Sequence, residues 1–157
     1  MEKTNVMRIL DQKKINYKSY SYVNTNALSG LEVAEVLNQN PNQVFKTLVT
    51  KGNDNNYYVF VVPVSKDLDL KKAAKAVGVK SIDMIKQKEL LPLTGYIHGG
   101  CSPIGMKKSF LTTFDSTSNN FETIIFSAGK IGYQVEVNLN DIKNIIKLQV
   151  SDITTNI

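Results

Sequence analysis

Two stretches of this 157-residue chain bring together residues able to do chemistry. The first runs from His98 to Ser109. It packs three glycines, one proline, the only cysteine and two lysines into twelve positions. Glycine lets a backbone turn where side chains would clash and lets a ligand come close to the chain. Pro103 fixes its own φ and pushes Ser102 toward extended geometry, which stiffens the loop. Backbone N–H groups in a stiff loop beside lysines suit an anion or a polarised carbonyl. The same residues also build ordinary tight turns between strands. The second stretch is Val44 to Lys51, a strand in which Val44, Lys46 and Leu48 share one face while Phe45, Thr47 and Val49 share the other. A lysine between aliphatic neighbours either snorkels to solvent at a sheet edge or projects into a cleft as a fixed positive charge.

Other chemistries fail on residue count or spacing. Gly100 and Gly105 have the separation of a Walker loop, but Met106 stands where its lysine is required. No G-x-G-x-x-G follows a strand. One cysteine excludes an internal disulfide and a cysteine-cluster zinc site. One histidine argues against a histidine metal site or a Ser-His-Asp triad. Any catalysis must draw on Lys, Tyr, Ser, Asp, Glu or backbone groups, and neither metal nor cofactor is expected. Hydrophobic residues make up 42% and charged residues 21%, as in a folded globular protein. The formal net charge of +5 is compatible with a nucleic-acid partner. No apolar run approaches the roughly 20 residues that span a bilayer, and the N-terminus lacks a signal-peptide pattern. The expectation is a soluble cytoplasmic protein with no membrane association.

The elements that must position these residues follow from periodicity. Residues 4 to 13 read as a helix with Val6, Ile9 and Leu10 on one face. Tyr17, Tyr20 and Tyr22 lie in an extended segment. Ser29 and Glu32 have capping-box spacing ahead of a helix carrying Val33, Val36 and Leu37, which Asn38 ends. Gly52 to Asn56 connects the Val44–Lys51 strand to an apolar, central strand from Tyr57 to Val62. Leu70 to Val77 is a helix with Ala73, Ala74 and Val77 inward, Lys71, Lys72 and Lys75 outward, and Gly78 as its stop. Ser81 caps a helix carrying Ile82, Ile85 and Leu90. Strands follow at Thr94–Ile97, Ser109–Phe114, Glu122–Ser127 and Tyr133–Val137, and Asn138 to Lys147 forms a last helix. The pattern predicts one α+β domain over residues 1–157, with a mixed, largely antiparallel sheet and short helices.

Phe45-Lys46-Thr47-Leu48, Asp69-Leu70-Lys71-Lys72-Ala73-Ala74 and the run from Gly95 to Lys108 occur together, in this order and at these separations. With them the chain resembles the YbaK/EbsC family, and within it the bacterial Cys-tRNA(Pro) deacylase branch, over nearly its whole length. The resemblance implies a barrel-like sheet flanked by helices. It implies a free-standing editing domain that clears cysteine wrongly attached to tRNA(Pro), related to the editing insertion of prolyl-tRNA synthetase. Lys46 matches the strand lysine on which the family's activity depends. Gly99, Gly100, Ser102 and Pro103 match the loop whose backbone approaches the aminoacyl ester. Thr47, Ser127 and Tyr22 match pocket positions, Tyr22 better than Tyr20. Some relatives carry an aspartate where this chain has Gln134; Glu136, on the same strand face, is the substitute to consider.

The family's chemistry is substrate-assisted: the cysteine thiol attacks its own ester and leaves as a thiolactone, so no protein nucleophile is needed. The protein's part is orientation and polarisation. Cys101 is then a packing residue, since relatives place aliphatic residues there. Lys71, Lys72 and Lys75, with Lys107 and Lys108, are the tRNA-facing candidates, and prolyl-tRNA synthetase is a possible docking partner. Two other readings stand beside this one: a water-using deacylase for another small residue such as alanine, and a binding module that holds an aminoacyl or nucleotide end without turnover.

Overall fold

The computed structural model describes residues 2–156. The elements in chain order are α1 (Asn5–Gln12), β1 (Tyr17–Ser21), α2 (Gly30–Val36), β2 (Phe45–Gly52), β3 (Tyr57–Pro63), α3 (Leu70–Val77), β4 (Ile82–Met84) and α4 (Gln87–Thr94). The second half adds β5 (Thr112–Asp115), a 3-10 turn (Ser116–Asn120), β6 (Ile124–Ser127), β7 (Tyr133–Val137), α5 (Leu139–Ile142) and β8 (Leu148–Ser151). The fold is α+β. A three-stranded antiparallel sheet has the order β1-β7-β6, and a five-stranded mixed sheet has the order β4-β2-β3-β5-β8. In the second sheet β3-β5 and β5-β8 run parallel, and the other pairings are antiparallel. A parallel bridge between Val44 and Ile125 links the two sheets. The sheet system is therefore barrel-like only loosely, because it does not close.

The hydrophobic pattern explains the layering. Val59 and Val61 of β3 pack with Val6 and Leu10 of α1, Phe114, Phe126 and Val135 in the core between the sheets. The alternate residues Phe60 and Val62 pack on Ala73 and Ala74 of α3 and on Ile153. A strand buried on both faces must be apolar throughout, and Tyr57–Val62 reads that way in sequence. Local signals set the helix ends. Thr4 accepts from Met7 N–H before α1, Ser29 and Glu32 complete a capping box before α2, and Asp69 accepts from Lys71 and Lys72 N–H before α3. Gly78 ends α3 at φ 76°.

Four expectations are corrected. Ser81 does not cap a helix: Ile82–Met84 pairs with the Thr50–Gly52 end of β2, and the helix starts only at Gln87. Three apolar residues at mixed spacing fit either period, and the free edge of β2 decides the outcome. Thr94 to Ile97 is not a strand. Thr94 closes α4, its hydroxyl donating to Leu90 O (2.7 Å), and Gly95 turns the chain at φ 83°. The last helix stops at Ile142, and Leu148–Ser151, not foreseen as a strand, pairs with β5 instead. Lys72 is not free on the outer face of α3. Its Nζ donates to Asp152, Thr154 O and Asn156 Oδ1, which ties the C-terminal segment to the helix.

Two glycines with similar positive φ test where packing adds to backbone strain. A Cβ at Gly78 would meet nothing within 4 Å, whereas one at Gly105 would lie 2.8 Å from Tyr96 Oη and 3.1 Å from Ile9 Cδ1. Gly78→Ala should cost about 1 kcal/mol from the left-handed backbone alone. Gly105→Ala should cost at least about 2 kcal/mol, because a clash is added. Urea unfolding of the two variants side by side checks the order.

Candidate active site

The site is built on a gap in hydrogen bonding along β2. On one side β2 pairs with β3 along its whole length. On the other, the bridge at Val44 ties its start to β6, and β4 joins only from Thr50 onward. Between these points no strand among the described residues pairs with the outer edge. Val44 O accepts from Val64 N, and Val49 O accepts from Ile85 N. Backbone direction alternates along a strand, so the N–H and C=O of Thr47 face this open edge rather than β3. A cavity of about 360 Å³ occupies the gap. Its walls come from β2, from the start of α2, from the His98–Cys101 loop, and from Phe126, Ser127 and Gln134 of the smaller sheet.

Of the residues expected at a site, Tyr22, Lys46, Thr47, Gly99 and Ser127 line this cavity. Lys46 is partly exposed, and its only ion-pair contact among the described residues is a loose one, 3.8 Å to an exposed Asp67 carboxylate. The ammonium is thus available to a ligand. Thr47 Oγ1 is shielded from solvent yet has no hydrogen-bond partner. Such an orphan is uncommon in a folded protein, and closed off as it is, the hydroxyl packs behind the cavity wall while the Thr47 backbone faces the open edge. Ser127 Oγ accepts from Gly129 N–H (3.0 Å), which fixes the turn beside the pocket. Tyr22 sits just beyond β1, held by its N–H donating to Gly132 O (2.8 Å).

Gly100, Ser102 and Pro103 lie elsewhere. Gly100 is buried, and a Cβ there would meet Ile131 N at 3.2 Å, so this glycine lets the loop lie against the β6–β7 turn. Ser102 is fully buried, its Oγ accepting from Ile104 N (3.3 Å). Pro103 lines a second cavity of about 300 Å³ on the far side of the loop. These three shape the loop from behind, and Gly99 alone of the four presents its backbone to the pocket.

Tyr96 anchors that loop. Its ring is buried, and its hydroxyl donates to Ile104 O (2.5 Å). Gly105 and Gly129 both approach it so closely that a Cβ on either would fall within 3 Å of its side chain. Burial pushes the Tyr96 hydroxyl up to about 12. Cys101 is buried beside the pocket, and burial pushes its thiol up to about 12 as well. A thiol held neutral is a poor nucleophile, which agrees with the packing role expected of it.

Gln134 and Glu136 share a strand face but not a role. Gln134 lines the cavity, its Oε1 accepting from Gln39 Nε2 (2.8 Å). Glu136 is outside the lining. It accepts from Tyr20 Oη and Thr123 Oγ1, both at 2.5 Å, which fastens β1, β7 and the Thr123 turn together. That bond, with burial second, pushes the Tyr20 hydroxyl up to about 12. Glu136 therefore does not substitute for a pocket carboxylate.

Sequence reasoning missed the wall made by Leu28, Ser29, Gly30 and Leu31, and it missed His98 as a lining residue. One signal was available in the first case. Gly30 follows the cap residue, and a Cβ there would lie 2.4 Å from Val64 Cγ1, so only glycine lets α2 settle on the end of β3.

A sequence profile of the aminoacyl-tRNA editing domain matches residues 26–145. The chain belongs to that family. It is 45% identical over 155 residues to the Enterococcus faecalis protein named "Putative Cys-tRNA(Pro)/Cys-tRNA(Cys) deacylase EbsC", covering 98% of this chain and 94% of that one. The editing fold recurs in solved structures. One, described as a "putative trans-editing enzyme for prolyl tRNA synthetase", superposes with a TM-score of 0.81 at 21% identity over 96% of this chain and 95% of the other. Another, the hypothetical protein APE2540, gives 0.86 at 18% identity, covering 96% and 99%. In this editing domain no helix among the described residues is long and apolar enough to cross a membrane.

The raised groups fix a pH dependence of stability. Cys101 ordinarily titrates near 9 and Tyr20 and Tyr96 near 10, but in the folded chain all three are pushed to about 12. Above pH 9 the unfolded chain therefore holds fewer protons than the folded one, and stability falls as pH rises. The urea midpoint should be lost progressively from about pH 9 upward, and Cys101→Ala should delay the onset toward pH 10. At pH 8 native Cys101 should resist iodoacetamide and become reactive on unfolding.

Proposed function

We propose that the chain is a trans-acting deacylase that releases cysteine from mischarged Cys-tRNA(Pro). The observation that carries this reading is the open edge of β2. There a loosely paired ammonium and outward-facing backbone groups meet at a cavity with no activated protein nucleophile. Such a site orients and polarises an ester without attacking it. The kinship with a protein named as a Cys-tRNA deacylase supports the choice of substrate.

In this mechanism the aminoacyl end of the tRNA enters between α2 and the His98–Cys101 loop. Lys46 holds the terminal ribose or phosphate oxygens and steadies the ester. The backbone N–H groups of Thr47 and Gly99 donate to the substrate, and Tyr22 closes the wall. The substrate thiol loses its proton to solvent, and its sulfur bonds to the ester carbon. The carbon–oxygen bond to the ribose breaks, and the ribose oxygen takes up a proton. The four-membered thiolactone that leaves is opened by water to free cysteine. Holding thiol and ester in reacting geometry replaces a costly orientational search, which is where such a protein gains its rate. The exposed side chains of Leu28 and Leu31 at the mouth offer the terminal adenine an apolar face. Lys71, Lys75, Lys107 and Lys108 are exposed and face the tRNA backbone in this reading, and prolyl-tRNA synthetase supplies the address for tRNA(Pro).

The test is release of amino acid from tRNA(Pro) charged separately with cysteine and with alanine. Wild type should release cysteine and leave alanine in place, since alanine has no thiol. Lys46→Ala should slow release about 100-fold, the size of an effect expected from losing a group that polarises and positions an ester. Release of alanine would instead make the chain a water-using deacylase, and binding without release of either would make it a binding module.

A further inference from the structure

We propose that Gln134 is a substrate-contacting specificity residue: its amide donor, together with the positive charge that Lys46 brings to the ester, makes the cavity take the substrate's sulfur as a thiolate. The proposal rests on the deacylase reading above and deepens it. Gln134 is 5% exposed and lines the cavity. Its side chain is fixed from behind, because Oε1 accepts from Gln39 Nε2 at 2.8 Å. With the carbonyl taken, the amide nitrogen is the end left over. Among the described residues nothing accepts from Gln134 Nε2, and that atom is not closed off from solvent, whereas Gln39 Oε1 is. It therefore reaches the open space of the cavity as an unused donor.

The rest of the lining points the same way. No Asp or Glu belongs to it. The titratable groups that face the space are Lys46 from β2, His98 and Cys101 from the glycine loop, and Tyr22 beyond β1. Cys101 stays a neutral thiol, since burial raises it. The Glu136 carboxylate, two residues along β7, is spent on Tyr20 and Thr123 outside the lining. Asp67, the loose partner of Lys46, is solvent-exposed and also outside it. A cysteinyl ester carries an ammonium, which needs an acceptor, and a thiol, which as a thiolate needs donors. This cavity offers a cation and an amide donor and no carboxylate, so it favours the anionic sulfur. A neighbouring positive charge and hydrogen bonds to the charged form both lower a thiol's pKa. The thiolate is the attacking form. Selection for cysteine then comes from charge as well as from shape.

The conservative variant is Gln134→Glu. A carboxylate can still accept from Gln39 Nε2, so the support from behind is kept while the cavity gains a negative charge. Two adenosines carrying cysteine or alanine through a non-cleavable 3′-amide serve as probes, with dissociation constants measured from pH 6 to 9. In wild type the preference for the cysteinyl over the alanyl probe should grow about tenfold as the thiol ionises, a thiol pKa lowered by about one unit. The alanyl probe cancels any pH effect that acts on both. In Gln134→Glu the bound thiol should titrate near its free value again, so that the rise is lost and the preference at pH 9 falls several-fold; Gln134→Met, neutral but without a donor, should lie between. A pH-independent preference in wild type, no binding of either probe, or tighter cysteinyl binding in Gln134→Glu would overturn the proposal. Turnover of Cys-tRNA(Pro) by wild type, run alongside, tests the deacylase reading separately. A thiol-dependent rise in binding without turnover would leave this inference standing and remove that reading.

Discussion

One strand serves two sheets, and the site follows from that. β2 is saturated by β3 on its inner side, but its outer edge is divided between β6 at the bridge from Val44 and β4 from Thr50. Neither partner covers Lys46 to Leu48. Unpaired backbone groups at a buried edge are costly, so such gaps are either covered or put to use. Here α2 and the His98–Cys101 loop wall the gap without filling it. The result is a cavity bordered by the outward-facing backbone of Thr47 and by the loosely paired Lys46 ammonium. A closed barrel would have paired this edge and removed the site.

The loop opposite that edge is held by packing rather than by regular structure. Tyr96 occupies a slot that exists because Gly105 and Gly129 have no side chains, and its hydroxyl takes the carbonyl of Ile104. Gly100 rests against the turn at Ile131. The first helix closes this arrangement, since Ile9 approaches Gly105 and Val6 approaches Gly129. A segment with no strand or helix of its own thus becomes a rigid wall, and Gly99 is presented to the pocket. Preorganisation of this kind is what orientation-based catalysis requires.

Charge is sorted by the same geometry. Lysines that read alike along α3 differ in the fold: Lys71 and Lys75 are exposed, while Lys72 is consumed by Asp152, Thr154 and Asn156. Gln134 and Glu136 stand two apart on one strand, yet one opens on the cavity and the other is bound by Tyr20 and Thr123. No periodicity argument separates them, because the difference lies in what β1 and the Thr123 turn bring alongside. Tyr22 and Tyr20 part in the same way, the first at the pocket and the second in the Glu136 network.

Wherever the information was local, the sequence alone sufficed. The capping box at Ser29, the stop at Gly78, the apolar β3 and the alternation through β7 each depend on neighbours within a few residues. The order of the lysine strand, the α3 run and the glycine loop was enough to show the family resemblance. Segments whose state depends on a distant partner were not legible. Ile82–Met84 and Leu148–Ser151 are strands because β2 and β5 have edges to offer them, and Thr94 to Ile97 is a cap and turn because Thr94 and Gly95 close α4. Within the site, the lysine strand and the glycine loop drew attention to Lys46 and Gly99, and the family resemblance added Thr47, Tyr22 and Ser127. Only the fold could place Gly100, Ser102 and Pro103 behind the loop and bring Leu28 to Leu31 across from β2. The reason is physical: a side chain's chemistry is written in its own residue, but the surface it faces is made by chain tens of residues away.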